Sequence, residues 1–203
     1  MDDQKLVAAL AADVDGHFER LVATYQDRLY AFALRLTGSL PDAEEIAQDA
    51  FVRAYQALRR YPADRLRTLS LRPWLYQIAL NVFRNRVRGR QLQLVPLVQD
   101  DAGQELEPQD DRTPRPDIAV EHAELRDTLS ALVQALPERY RVAVVLRHVQ
   151  GLGYGEMATI LKQPIGTVKA NVHRGLRLLR KALDEGEHSA HRRDHTRAPR
   201  RWQ

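Results

Sequence analysis

The side chains best suited to chemistry in this chain are cationic, and they concentrate in IGTVKANVHRGLRLLRK, residues 165–181. Guanidinium and ammonium groups bind phosphates, and Arg or Asn can make paired hydrogen bonds to the edge of one DNA base. At about 100° per residue, five apolar side chains share one arc: Val168, Val172, Leu176, Leu179 and Leu183. The segment therefore predicts an amphipathic helix with a cationic face, a pattern that solvated surface helices also have.

The sequence just before this segment, GLGYGEMATILKQP, residues 151–164, predicts a shorter helix and a tight turn. Met157, Ile160 and Leu161 have helical apolar spacing, and Lys162 to Pro164 form the turn. A short helix, a turn and a longer basic helix make a helix-turn-helix motif, whose second helix enters the major groove of DNA. We therefore predict that seven residues lie at a DNA duplex: Thr167, Lys169, Ala170, Asn171, His173, Arg174 and Arg177.

The elements that precede this motif are also predicted to be helical. Apolar residues from Phe18 to Leu36 recur at three- and four-residue steps, which is typical of one face of a helix. Pro41, followed by acidic residues, is typical of a helix start. We predict helices over about 15–37, 41–60 and 71–90, with a loop at 61–70. The expected fold class is all-α.

Charge divides the chain into two small helical domains. Residues 91–124 carry nine acidic and two basic side chains, whereas residues 125–185 carry five acidic and ten basic ones. The acidic stretch has too few apolar groups to offset the entropy lost on ordering. We expect a first domain at 1–92, a flexible acidic linker at 93–120, a second domain at 121–185 and a basic disordered tail at 186–203.

Composition argues against several other classes of protein. The absence of cysteine excludes disulfides, zinc-thiolate sites and thiol catalysis. No apolar run approaches the roughly 20 residues that span a bilayer, and the N-terminus lacks a signal-peptide pattern, so we expect a cytoplasmic protein without membrane insertion. There is no Gly-rich phosphate loop and no nucleophile with a neighbouring base. We predict no catalytic residue, no metal site and no cofactor.

Two blocks of sequence resemble the extracytoplasmic-function (ECF) group of bacterial sigma factors, in the sigma-70 family. LPERYRVAVVLRHVQGLGYGEMATILKQPIGTVKANVHRGLRLL, residues 136–179, is similar to domain 4, and DAEEIAQDAFVRAYQAL (42–58) with RPWLYQIALN (72–81) is similar to domain 2. The resemblance implies a non-enzymatic, dissociable subunit of bacterial RNA polymerase. It implies a helical-bundle domain 2, a helix-turn-helix domain 4 and a restraining anti-sigma factor.

The resemblance also assigns roles to named residues. Domain 4 would bind the −35 promoter element as duplex through the residues of 165–181 given above. Domain 2 would capture the −10 element as single strand through Tyr61, Arg65, Arg67, Asn81, Arg84 and Arg88. Its docking face for the RNA polymerase core would comprise Asp42, Glu45, Gln48, Asp49, Phe51 and Arg53.

Several residues depart from the pattern of the resemblance. Lys162 replaces a glycine of the turn, which predicts either a left-handed lysine or a shifted turn. Gly153 replaces the hydroxyl residue that begins the first helix of the motif. Lys169, Ala170 and Asn171 stand where Lys-Ser-Arg is usual, which predicts an altered −35 preference.

Two alternatives to a sigma factor remain at this point. One is a duplex-binding helix-turn-helix transcription regulator that does not bind the polymerase core. The other is a sigma-like decoy that has lost core binding. The block at 42–58 and the basic helix at 71–90 favour the sigma factor, since a plain regulator needs neither.

Overall fold

The computed structural model describes the backbone of residues 3–93 and 128–195 and the side chains of residues 3–89 and 128–185. Within these ranges every regular element is a helix, which confirms the predicted all-α class. The helices are α1 (Asp3–Ala12), α2 (Val14–Thr37), α3 (Leu40–Leu58), α4 (Ala63–Arg67), α5 (Leu71–Gln93), α6 (128–135), α7 (Glu138–Val144, continued by a π-helical segment Val145–Val149), α8 (Tyr154–Leu161) and α9 (Ile165–His195). Apart from Gln93, the predicted linker lies outside the described residues.

The structure adds helices where the sequence predicted none. Helix α1 precedes the first predicted helix and buries Leu6, Val7 and Leu10. Helix α4 lies inside the predicted loop 61–70 and buries Leu66. Helix α9 continues to His195, through the first ten residues of the predicted tail. No proline interrupts residues 165–198, so nothing forces the helix to end earlier.

The first domain is a bundle in which α2 is the central helix. Its inward stripe is fully buried: Leu21, Tyr25, Leu29, Phe32, Ala33 and Leu36. Asp13 begins the helix, since its side chain accepts a hydrogen bond from the Gly16 N–H at 3.0 Å. Gly38 ends it in the left-handed conformation (φ 72°), and Ser39 then caps α3. Helices α1, α3 and α5 pack around α2.

The second domain (α6 to α9), which resembles domain 4, lies directly against the first domain (α1 to α5), which resembles domain 2; the sequence left this arrangement open. Gln134 Nε2 donates to the Arg35 carbonyl at 2.6 Å, and Arg141 Nη1 donates to the Leu36 carbonyl at 2.6 Å. Both bonds satisfy carbonyls at the end of α2 that have no partner within the helix. Gly38 lies at this contact, and a Cβ there would lie 3.1 Å from the Gln134 Cδ atom, closer than ordinary van der Waals contact. The end of α2 therefore provides a contact surface for domain 4.

A second set of contacts joins α5 to domain 4. The Tyr76 hydroxyl donates to Gln150 Oε1 at 2.6 Å, and Arg72 Nη2 donates to the Gln150 carbonyl. Arg84 Nε donates to Glu138 Oε1 at 3.1 Å. Most buried apolar side chains of the two domains belong to one continuous cluster. Domain 4 therefore covers one side of α5.

Candidate promoter and polymerase interface

The helix-turn-helix is built by the local chemistry of α8 and its turn. The Gly153 N–H donates to Glu156 Oε2 at 2.7 Å, so the carboxylate satisfies the helix start in the absence of a hydroxyl cap. Lys162 ends α8 in the left-handed conformation (φ 52°, ψ 45°), and its N–H donates to the Ala158 carbonyl. Of the two geometries predicted for the turn, the structure has the left-handed lysine.

The outer face of α9 presents most of the residues predicted to contact the −35 duplex. Thr167, Lys169, His173, Arg174 and Arg177 are all exposed, and Ala170 is half-buried. The ammonium of Lys169 lies 5.5 Å from the centre of the Tyr154 ring, and the Arg147 guanidinium lies 4.8 Å from the same ring centre. Tyr154 thus gathers two cations at one edge of the motif.

Asn171 lies elsewhere than predicted. It is only 8% exposed, and its Nδ2 donates to Gln163 Oε1 of the turn at 3.3 Å. The reason is its place on the helix, since it follows Val168 by three residues and precedes Val172, both of which are buried. We therefore remove Asn171 from the set of exposed duplex-facing residues.

The inner face of α9 also differs from the predicted arc. Val168 and Val172 are buried as expected, but Leu176 is 40% exposed. Gly175 takes its place against α7, where a Cβ would lie 2.6 Å from Val144 Cγ2. The missing side chain allows the two helices to approach closely, and it rotates the buried arc toward Gly175.

The loop and short helix between α3 and α5 hold three predicted −10 residues. The Arg65 guanidinium lies 3.8 Å from the centre of the Tyr61 ring, and that ring centre lies 6.1 Å from that of Trp74. Arg65 and Arg67 are exposed. A cavity of about 550 Å³ opens beside Arg67, between this segment, α1, the start of α5 and α8.

Helix α5 carries the other three predicted −10 residues in unequal states. Asn81 and Arg88 are exposed on its outer side. Arg84 is half-buried and pairs with Glu138 of α7. Arg72, which the sequence analysis did not select, is drawn into the same domain contact. Part of the cationic side of α5 is therefore covered by domain 4.

The exposed face of α3 differs from the predicted docking face at two positions. Glu45, Gln48, Asp49 and Arg53 are exposed as predicted. Asp42 is 8% exposed and pairs with Arg86 of α5 at 3.2 Å, because it lies on the buried side of the first turn of α3. Phe51 is half-buried and packs on the core. Arg86 also contacts Glu45.

Val52 is the apolar residue that the sequence analysis missed on this face. It is 53% exposed and lies among the polar side chains, at helical spacing from Gln48 and Asp49. A helical projection centred on Gln48 would have found it, because Val52 lies one helical turn after Gln48. The exposed face therefore has an aliphatic centre surrounded by charged groups.

Metal-binding groups and membrane-spanning helices are both absent from the part of the chain that the structure describes. No group of three or more His, Asp or Glu side chains there could hold a metal ion. None of the helices in the same ranges is long and apolar enough to cross a membrane.

Comparison with known proteins identifies the two halves separately. Residues 21–93 match the model of sigma-70 region 2, and residues 126–179 match that of sigma-70 region 4. The RNA polymerase sigma-H factor of Pseudomonas aeruginosa is 34% identical over 188 residues, covering 89% of this chain and 93% of that protein. The ECF RNA polymerase sigma factor SigW of Bacillus subtilis is 34% identical over 170 residues, covering 82% and 88%.

Solved structures share the fold of this chain. One is CnrH in complex with the cytosolic domain of CnrY, with a TM-score of 0.64 and 23% identity, covering 90% of this chain and 97% of that one. Another is the sigma factor RpoE of Bartonella quintana in complex with the anti-sigma factor NepR, with a TM-score of 0.60 and 24% identity, covering 82% and 96%. Each family model matches one domain and the curated relatives span both, so the chain belongs to the sigma-70 family, in its ECF group of non-enzymatic transcription initiation factors.

Proposed function

We propose that this chain, as an ECF sigma factor, divides its work among three surfaces. The exposed face of α3 docks on the RNA polymerase core, the 61–71 segment with the outer side of α5 captures the −10 strand, and the outer face of α9 reads the −35 duplex. The observation that carries the proposal is the five exposed side chains of α9, held on a helix-turn-helix whose opposite side is buried. Phosphate contacts there give affinity, and base contacts give sequence preference.

The docking proposal for α3 rests on its composition and exposure. Val52 offers apolar area at the centre, and Gln48, Asp49 and Arg53 surround it. A buried aliphatic centre with a polar rim is typical of protein interfaces. Asp42 and Phe51 support this face from inside the domain and make no direct contact in the proposal.

The −10 proposal rests on stacking groups and cations placed near a cavity. Unpaired bases stack on aromatic rings, and their phosphates favour guanidinium groups. Tyr61 with Arg65 provides such a stack, and Arg67 of the same segment lines the cavity of about 550 Å³. Asn81 and Arg88 continue the surface along α5.

The proposed site of action is the bacterial cytoplasm, where polymerase and promoter DNA are found. The proposed partners are therefore the polymerase core, duplex −35 DNA and single-stranded −10 DNA. The sigma factor RpoE named above was solved in complex with the anti-sigma factor NepR, and an anti-sigma factor is a further proposed partner of this chain. No cofactor is proposed.

Co-elution with bacterial core RNA polymerase on a sizing column, at moderate salt, tests the function. We expect a stoichiometric complex for the full chain. Charge reversal in Asp49→Arg should weaken it, whereas the matched reversal Asp27→Arg, on the exposed side of α2, should not. A chain that binds duplex DNA but never the core would instead be a regulator or a decoy.

Promoter opening separates the −10 surface from the docking face. We expect Asn81→Ala to reduce open-complex formation by the holoenzyme while core co-elution stays normal. Normal opening by this variant would remove Asn81 from the −10 surface.

A further inference from the structure

We propose that Asn171 is a positioning residue for −35 recognition, which acts by tying the recognition helix α9 to the turn that precedes it. Its partner is Gln163, and the exposed residues of α9 make the base contacts. The inference rests on the proposed −35 function and deepens it, because it says which residues set the sequence preference and which set the angle of the helix.

Burial is the first argument against a direct role for Asn171 at DNA. Asn171 and Asp42 are the two buried polar or charged residues among those whose side chains the structure describes. At 8% exposure, the Asn171 amide has almost no surface to offer a base edge. It lies beside Val168 and Val172 on the side of α9 that faces the domain interior.

The hydrogen bond to Gln163 is the second argument. Asn171 Nδ2 donates to Gln163 Oε1 at 3.3 Å, across eight residues and two elements. A buried amide that loses its partner is strongly disfavoured, so the bond constrains both side chains. The resemblance has arginine at this position, and here a short amide turns inward instead.

The conformation of the turn explains why such a tie is useful. Lys162 adopts a left-handed backbone conformation, which is unfavourable for any residue that has a Cβ. The Gln163 N–H donates to the Ala158 carbonyl at 3.2 Å, and the Val168 N–H donates to the Pro164 carbonyl at 3.1 Å. These backbone bonds hold each helix end separately. The amide pair links the turn to the second turn of α9.

The consequence concerns how sequence preference arises in this chain. The N-terminal residues of a recognition helix reach the bases only if the helix enters the groove at the right angle. The amide pair fixes that angle relative to α8. Base contacts are then left to exposed residues such as Lys169 and His173.

A double-mutant cycle on the full chain tests the inference. A randomised duplex pool is first selected with the unchanged protein, and the selected duplex and a scrambled one are then used as probes. We expect Asn171→Ala and Gln163→Ala each to weaken the selected duplex about fivefold, as one lost hydrogen bond implies, with little change on the scrambled duplex. The double variant should be no worse than either single one, since one bond is lost in all three.

The base-preference profile distinguishes positioning from direct contact. Both single variants should broaden preference evenly across the selected site. The matched control Lys169→Ala should relax it at one or two base pairs. The exchanged pair, Gln163→Asn with Asn171→Gln, keeps the summed side-chain length and the amide pair, and it should recover most of the selected-duplex affinity.

Three outcomes would overturn the inference. One is a change at a single base pair in Asn171→Ala with no effect of Gln163→Ala. Another is additive losses in the double variant. The third is failure of the exchanged pair to recover affinity while thermal melting shows that it is folded. A different failure, in which the unchanged protein selects no duplex at all, would count against the proposed −35 function itself.

Discussion

The two helices proposed to face promoter DNA hold their cations in opposite ways. On α9, Arg174 and Arg177 are exposed, and the structure shows no ion pair for either among the described residues. On α5, Arg84 pairs with Glu138, and Arg72 donates to the Gln150 carbonyl. The cations of the proposed −35 surface are therefore exposed, whereas domain 4 covers part of the side of α5 proposed to bind the −10 strand.

This difference shows that a basic helix in the sequence is not the same as an available basic surface. Both helices have cations at helical spacing. They differ in that domain 4 packs on the cations of α5, whereas the cations of α9 stay exposed. A side chain that already has a partner must lose it before it can bind a phosphate. The following predictions test each half of the contrast, beginning with the largest expected effect.

The exposed cations of α9 should dominate duplex affinity. We expect Arg174→Ala with Arg177→Ala to weaken −35 duplex binding roughly a hundredfold, since two charge-assisted contacts are lost. The slope of log affinity against log salt should fall by about 2, because about one phosphate contact is lost per arginine. Filter binding over a salt series measures both. An unchanged slope would contradict phosphate contact by these residues.

The loss of stability at alkaline pH should report the burial of Tyr76, which lies on the side of α5 that domain 4 covers. Burial raises the pKa of Tyr76 to about 12, from an ordinary value of 10.0. The folded chain then holds this proton more tightly than the unfolded chain does. The associated stability is fully present below pH 10 and decreases as pH rises from 10 to 12, by about 2 to 3 kcal/mol.

Urea denaturation at pH 9 and at stepped values up to 12 measures this loss. The control is Tyr76→Phe, which should show a smaller decrease over the same window. Some decrease should remain, since burial also raises the pKa of Tyr25. Equal pH dependence in both proteins would contradict the assignment to Tyr76.

A substitution at Gly175 should show how closely the inner side of α9 packs against α7. We expect Gly175→Ala to lower the free energy of unfolding by about 1 kcal/mol, because the strain of the added Cβ against Val144 exceeds the gain in helix propensity. Gly166→Ala on the same helix is the matched control, since its Cβ would meet nothing within 4 Å. Thermal denaturation measures both. A stabilised Gly175→Ala would mean that the helices are less closely packed than described.

Releasing Arg84 from its ion pair with Glu138 should have the smallest effect. It would also reduce the difference between α5 and α9 in the availability of their cations. We expect Glu138→Gln to raise the affinity of the free protein for a single-stranded −10 oligonucleotide two- to fivefold, as the removal of a partly exposed ion pair implies. Arg84→Ala should lower that affinity with or without the change at Glu138. Fluorescence anisotropy measures all three variants. No gain in Glu138→Gln would mean that the pair does not restrict Arg84.

Much of the fold followed from periodicity and helix-end residues. The helices predicted at 15–37, 41–60 and 71–90 correspond to Val14–Thr37, Leu40–Leu58 and Leu71–Gln93. The left-handed geometry at Lys162 was one of two options that the missing glycine implied. These features depend on residues close in sequence, which is why local patterns could predict them.

Some features that sequence analysis missed depend on contacts between distant segments, whereas the burial of Asn171 follows from its own position on the helix. Asn171 seemed exposed because a motif position was used in place of its position on the helix. Asp42 seemed to face outward, but Arg86 of α5 draws it inward. The contact of domain 4 with the end of α2 joins residues about 100 positions apart, and no local sequence pattern encodes such a contact.

The single apolar cluster shared by both domains has a consequence for denaturation. Leu75 and Phe83 of α5 belong to the same buried cluster as Leu152 and Met157 of domain 4. Melting either domain alone would expose the apolar side of the other. Although two separate family models match the chain, the described parts should therefore unfold in one cooperative transition, with equal calorimetric and van't Hoff enthalpies.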